Sequence, residues 1–264
     1  MEVLAVNYLF MKIKSLENGF SLLRKMGEVY VIKLVMIPYA GGNSWGYADI
    51  SKQLKKNNID CILYDYPGHG KRVTEELMDN IDKVREDCVN YIQSNISDND
   101  SLFIFGHSLG ALITYEVVKD FNKSKNRVQG MIVSGMYPPD MKEIRGASKY
   151  HSNKNFILNI MKLGGIPLEI LNNPEAVEFF GEIIKNDYQI FDSIKASSEL
   201  INIPILAFSG NEDENFSEEK VSFWEKITNS SFKIQNFQGN HFFIFDNIKP
   251  IVDSITEFIE ENLK

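Results

Sequence analysis

The stretch SLFIFGHSLGALITYEVV, residues 101–118, decides the fold. It opens as an apolar run suited to a buried strand and closes with apolar residues at helical spacing. Between the two halves lie Gly106, Ser108 and Gly110, although glycine weakens strands and helices alike. A sharp strand-to-helix turn accounts for all three. At its apex the serine is strained and exposed, and the residues two before and two after come too close for side chains. A serine hydroxyl is a poor nucleophile until a base lies within hydrogen-bond reach and donors await the charge that develops on the attacked oxygen. The helix that begins at Leu109 points its first amides toward that place.

Working outward, short β-branched and aromatic runs alternate with longer amphipathic ones. Residues 29–37, 60–64, 101–105, 130–134, 203–209 and 232–237 read as strands. Residues 46–57, 81–95, 109–121, 217–228 and 250–263 read as helices, the last with Pro250 in its first turn. This βαβ rhythm predicts an α/β fold with a mainly parallel sheet, helices on both faces, and function at the carboxyl ends of the strands. With the glycine-flanked serine in that context, the expectation is an α/β-hydrolase fold. The rhythm fails between 138 and 200, where about sixty residues carry helical pattern and no strand. An apolar helical pair hinged at Gly164, Gly165 and Pro167 reads as a lid. The organisation expected is an N-terminal extension of unclear role over 1–27, a core over 28–137 and 201–264, and a lid over 138–200.

Charge and cysteine usage narrow the partners. Acidic residues outnumber basic ones 36 to 28 in 264 residues and no long basic run occurs, which argues against nucleic acid or an anionic membrane as ligand. Cys61 and Cys88 form no metal-spaced pair and read as buried thiols of a reducing, cytoplasmic protein. The first residues, MEVLAVNYLFMKIK, carry Glu2 where a signal peptide needs positive charge, no apolar segment is long enough to span a bilayer, and Met26 offers an alternative start.

A base and an acid should follow the serine in the order Ser, Asp/Glu, His. Of four histidines, His69 precedes the serine, His107 lies inside the turn and His151 opens the insertion. His241, in a loop between the last strand and the last helix, is the one placed to reach Ser108. For the acid, Asp213 in FSGNEDENF follows a strong strand, and the spacing from Gly210 supplies a tight turn. Asp140, Glu212 and Glu214 are the rivals; Asp213 is favoured over Asp140 because a loop directly after a buried strand holds a carboxylate more firmly than the entry to a lid, and over Glu212 and Glu214 because alternate residues of an extended turn point elsewhere. In MIPYAGGNSWGY, Gly41 and Gly42 let backbone approach a substrate, so the Ala40 amide is the expected second oxyanion donor beside that of Leu109.

PYAGG, YPGHGKR, GHSLGA, LGGIP, NPEAVEFF, SGNEDENF and GNHFF occur in the order and spacing of type II thioesterases, and the chain resembles that family over residues 30–260. These are stand-alone α/β-hydrolases that accompany nonribosomal peptide and polyketide synthases. Thioesterase domains fused to synthases are similar too, but place their aspartate soon after the strand before the lid, earlier than Asp140 stands here. The resemblance implies hydrolysis of acyl or aminoacyl groups from the phosphopantetheine arm of carrier proteins by a Ser108–His241–Asp213 triad. That chemistry calls for no metal or bound cofactor, and a monomer is expected. The family usually has an arginine before the aspartate of the second lid helix; here the segment is KNDY, 185–188, and no role is carried over to Asp187. An acidic carrier protein calls for a basic docking face, for which Lys52, Lys55 and Lys56 share one side of a helix, with Lys71 and Arg72 in the next loop. The competing readings are a small-molecule esterase of lipase type and an inactive module that binds the acylated arm.

Overall fold

The computed structural model describes residues 11–14, 21–25, 28–123, 128–141 and 172–263. Six parallel strands form the central sheet: β4 (Ile32–Ile37), β5 (Ile59–Leu63), β6 (Ser101–His107), β7 (Val128–Ser134), β8 (Ile205–Gly210) and β9 (Phe232–Phe237), in the order β5-β4-β6-β7-β8-β9. All five pairings are parallel. The interior strands are the continuous apolar runs of the sequence, since a parallel strand covered on both faces has no solvent side to make polar.

Alternate residues of each strand feed two separate cores. Val35, Ile37 and Ile104 face the layer of α2 (Ile81–Asn95) and α3 (Leu109–Lys123), whose Val84, Cys88, Ile92, Ile113 and Val117 they meet. Leu34, Met36, Phe103 and Phe105 face the opposite layer of α1 (Ala48–Lys56) and the C-terminal helix (Ile248–Asn262), against Ile50, Leu54, Ile255 and Ile259. Each of these buried side chains contributes roughly 1.5–3 kcal/mol of transfer free energy. The helix α4 (Pro174–Ser193) lies in the described part of the insertion. Asn173 caps it through Oδ1, which accepts from the amides of Glu175 and Ala176, and Pro174 occupies its first position. The expected hinge residues Gly164, Gly165 and Pro167, and His151, lie outside the described residues.

Three expectations are corrected. The run 29–37 is not one strand: β3 (Glu28–Tyr30) pairs antiparallel with β2 (Ser21–Lys25), which pairs with β1 (Met11–Lys14) in a separate sheet, and β4 begins only at Ile32. The two strand partners of β4 start there, at Ile59 and Ser101, so pairing sets the boundary where propensity continues through it. The segment 217–228 divides into α5 (Glu218–Ser222) and a 3-10 turn (Phe223–Ile227), in which the buried Trp224 indole donates to the carbonyl of Met136 at 2.8 Å. A short helix, α6 (Phe243–Asp246), follows His241 and precedes the C-terminal helix, α7. Cys61 and Cys88 are free thiols, and burial pushes Cys61 up to about 12.

Candidate active site

Ser108 sits between β6 and α3 with φ +55°, in the left-handed region that side-chain-bearing residues rarely adopt. Gly106 and Gly110 make that turn possible. A Cβ on Gly106 would lie 2.1 Å from the carbonyl oxygen of Gly110, and one on Gly110 would lie 2.3 Å from that of Ile37. The close approach sets the first turn of α3 directly on the end of β4. Ser108 N–H is held by the carbonyl of Ser134 at 2.8 Å, which leaves the hydroxyl turned away from the sheet.

Three side chains from three elements converge there. His241 Nε2 lies 3.0 Å from Ser108 Oγ, and His241 Nδ1 lies 2.6 Å from Asp213 Oδ2. Asp213 is buried in the loop after β8, where its N–H donates to the carbonyl of Gly210 at 3.2 Å. Its other oxygen, Oδ1, accepts from the amides of Asn215 and Phe216 at 3.2 and 3.1 Å, which leaves Oδ2 to face the imidazole. The carboxylate therefore fixes Nδ1 as the protonated nitrogen and leaves Nε2 free to accept a proton from Ser108. The rings of Phe216 and Phe242 stand 4.9 and 5.2 Å from that of His241 and shield it from water. Glu212, Glu214 and Asp140 are exposed, so none of the three rivals shares this pocket.

The amides of Ala40 and Leu109 have no protein acceptor among the described residues. Ala40 belongs to a tight turn in which Gly42 N–H donates to the carbonyl of Tyr39 at 2.8 Å, with Gly41 at φ +74°, the signature of a type II turn. His107 is fully buried, its Nδ1 is 3.0 Å from Ser134 Oγ, and its ring stands 5.0 Å from that of His241. Burial first, and the neighbouring His241 second, push His107 well below the ordinary imidazole value, so it stays neutral beside His241.

Two residues that sequence reasoning assigned no role lie close by. Asp187, on α4, is fully buried, and its Oδ2 accepts from Gly41 N–H at 2.6 Å and lies 3.0 Å from His69 Nε2. Nδ1 of His69 faces the carbonyl of Pro67 at 3.1 Å. Burial acts to lower the proton affinity of His69, but Asp187, by charge and hydrogen bond, with smaller help from the Pro67 carbonyl and Asp65, raises it above the ordinary value. The Tyr66 ring, 5.3 Å away, completes its surroundings. A raised histidine contributes stability that is present below its unfolded value of about 6.5 and lost as pH rises through the folded one. The stability gap between wild type and His69→Gln, measured by urea unfolding, should therefore be larger at pH 6 than at pH 9. A gap that does not change with pH would show that the ring is neutral.

Lys52, Lys55 and Lys56 are exposed on α1, as the docking reading requires. Arg72 is not available for that purpose. Its guanidinium grips Asp87 at 2.6 and 2.9 Å and Glu75 at 2.9 and 2.6 Å, and donates to the carbonyl of Asp65 at 3.1 Å; it braces its own loop.

A serine at a strained turn on the carboxyl edge of a parallel sheet, with helices on both faces, defines an α/β-hydrolase. The chain belongs to the thioesterase domain family, whose model matches residues 32–263, and it is a serine hydrolase of thioesters. It is similar to the thioesterase PikA5 of Streptomyces venezuelae, 24% identical over 230 residues that cover 86% of this chain and 81% of that one. Among solved structures it resembles ClbQ from the colibactin NRPS/PKS pathway, with TM-score 0.79 and 27% identity over 87% of this chain and 97% of that one. The fold is also that of BorB, the type II thioesterase from the borrelidin biosynthetic cluster, with TM-score 0.74 and 21% identity over 87% and 92% of the two chains. Among the described residues no helix is long and apolar enough to cross a membrane.

Proposed function

We propose that this thioesterase releases acyl or aminoacyl groups from the phosphopantetheine arm of carrier proteins in a nonribosomal peptide or polyketide pathway. The observation that carries the chemistry is the line of contacts from Ser108 Oγ through His241 to Asp213, at 3.0 and 2.6 Å. His241 Nε2 takes the Ser108 proton as Oγ attacks the thioester carbonyl carbon. The oxygen, now negative, is held by the amides of Ala40 and Leu109. Collapse breaks the carbon–sulfur bond, and the departing thiolate takes the proton from His241. Water then attacks the acyl-serine and gives its proton to His241, and the acid leaves as Ser108 regains a proton. A thiol ionises at about 8.5, far more readily than an alcohol, so little assistance at departure is needed. No step requires a metal or cofactor.

The substrate assignment draws on the relatives, one of which comes from a mixed synthase pathway. The exposed Lys52, Lys55 and Lys56 form the docking face for the acidic carrier.

The test is release of acyl groups from a loaded carrier protein, compared with an acyl N-acetylcysteamine thioester and a nitrophenyl ester. Wild type should prefer the carrier, His241→Ala should lose about 10⁴-fold or more, and reversing the three lysine charges should raise KM for the carrier alone. Preference for the oxygen ester would favour a small-molecule esterase, and no turnover of any substrate an inactive binding module. An equal effect of charge reversal on carrier and small thioester would remove the docking face.

A further inference from the structure

Asp187 ties the lid to the oxyanion loop. Its Oδ2 takes the amide proton of Gly41 at 2.6 Å, across 146 residues of sequence. Ile184, three residues earlier on α4, closes over the same loop; a Cβ on Gly41 would lie 2.8 Å from its Cγ1. The helix is held against the body at two further points: Asn186 Nδ2 donates to the carbonyl of Met78 at 2.6 Å, and Ser193 Oγ accepts from Ile81 N–H at 2.8 Å. α4 is thus a fixed wall against which a loop can be set.

His69 completes the clamp. Its two ring nitrogens face Asp187 Oδ2 and the Pro67 carbonyl, and both partners can only accept. With Asp187 as a carboxylate both nitrogens donate, so the geometry favours an imidazolium paired with a buried anion. Losing one member of such a pair leaves the other charged and unpaired in the interior, which is costly.

The turn explains what the clamp controls. Gly41 N–H belongs to the peptide between Ala40 and Gly41, the central peptide of a type II turn, which differs from type I by a flip of that one plane. The Ala40 amide belongs to the preceding plane, whose carbonyl is held by Gly42 N–H. With both planes tied, Ala40 N–H has one direction.

We propose that Asp187 is a positioning residue: by anchoring Gly41 N–H from the lid helix it sets the Ala40 amide toward the oxyanion, with His69 holding the carboxylate in place. This rests on the reading of Ala40 as an oxyanion donor. Positioning of this kind acts on the transition state and leaves substrate binding largely alone.

The test uses Asp187→Asn, which keeps the shape but weakens the acceptor and sets its NH2 group against the His69 donors. Hydrolysis of an acyl N-acetylcysteamine thioester is measured together with affinity for an alkyl trifluoromethyl ketone, which adds Ser108 Oγ to its carbonyl and so forms an oxyanion without turnover. Expected is a fall in kcat of about 10–100-fold, KM within about 3-fold of wild type, and a loss of ketone affinity that matches the loss in kcat/KM. His69→Gln should show the same pattern in smaller measure, and is read alone if Asp187→Asn does not fold. A folded variant with wild-type kcat, or one whose loss lies in KM with ketone affinity unchanged, overturns the proposal. Wild type that binds the ketone but cleaves no thioester would contradict the thioesterase reading instead, and the ketone affinities would still judge Asp187.

Discussion

Ser108→Ala should lower thioester turnover by about 10⁵-fold or more and leave the unfolding midpoint close to that of wild type. Among the described residues the hydroxyl makes one hydrogen bond, to His241 Nε2 at 3.0 Å, and the backbone that strains residue 108 is the same for alanine as for serine. What anchors the turn is the Ser108 N–H bond to the Ser134 carbonyl at 2.8 Å, which the substitution keeps. Activity and stability are therefore separable at this position. The residual rate should come from the two unpaired amides and from binding alone, and should lose the pH dependence that the imidazole gives to wild type. Turnover of a small thioester and thermal unfolding, measured on the same sample, check both halves. A variant that keeps a tenth of the activity would mean that another group makes the attack.

Gly106→Ala should have the opposite character, a loss of the fold before any loss of chemistry. The added methyl would lie 2.1 Å from the Gly110 carbonyl oxygen and 2.4 Å from Thr114 Oγ1, far inside van der Waals contact. Relief would require β6 or α3 to move. β6 is paired on both sides, at Ile37 and at Val133 level with Gly106, and α3 packs its buried face across the sheet. Overpacking of this severity, against backbone that cannot give, should cost about 3–5 kcal/mol, a large part of the stability of a typical domain. Urea unfolding should show a midpoint well below wild type or no folded baseline at all. A variant as stable as wild type would place α3 farther from the sheet than the structure does.

Much of this architecture was legible because each element obeys one local rule. The strand 232–237 and the helix 81–95 fall where periodicity places them, and the serine turn is dictated by two collisions that any Cβ would make. The acid could be chosen over Glu212 and Glu214 because alternate residues of a turn face opposite ways, and both rivals are exposed. What escaped is what depends on partners distant in the chain. The break at Val31 reflects which strands are available to pair, not β-propensity. Asp187 shows the same limit: KNDY reads as a polar turn of an amphipathic helix, and only the folded chain brings its carboxylate to Gly41 and His69. Besides the aspartate that the resembled family carries in this helix, one signal was present, an acidic residue on an otherwise apolar helical face, flanked by Ile183, Ile184 and Ile190, all buried.

In the proposed reaction Ser108 takes the acyl chain and His241 draws its proton. A fluorophosphonate probe followed by peptide mapping tests it without any assumption about substrate. One label per chain is expected, on Ser108 within residues 101–118, with the rate of labelling falling about 10³-fold or more in His241→Ala. Label on another residue, or a rate indifferent to His241, would contradict it.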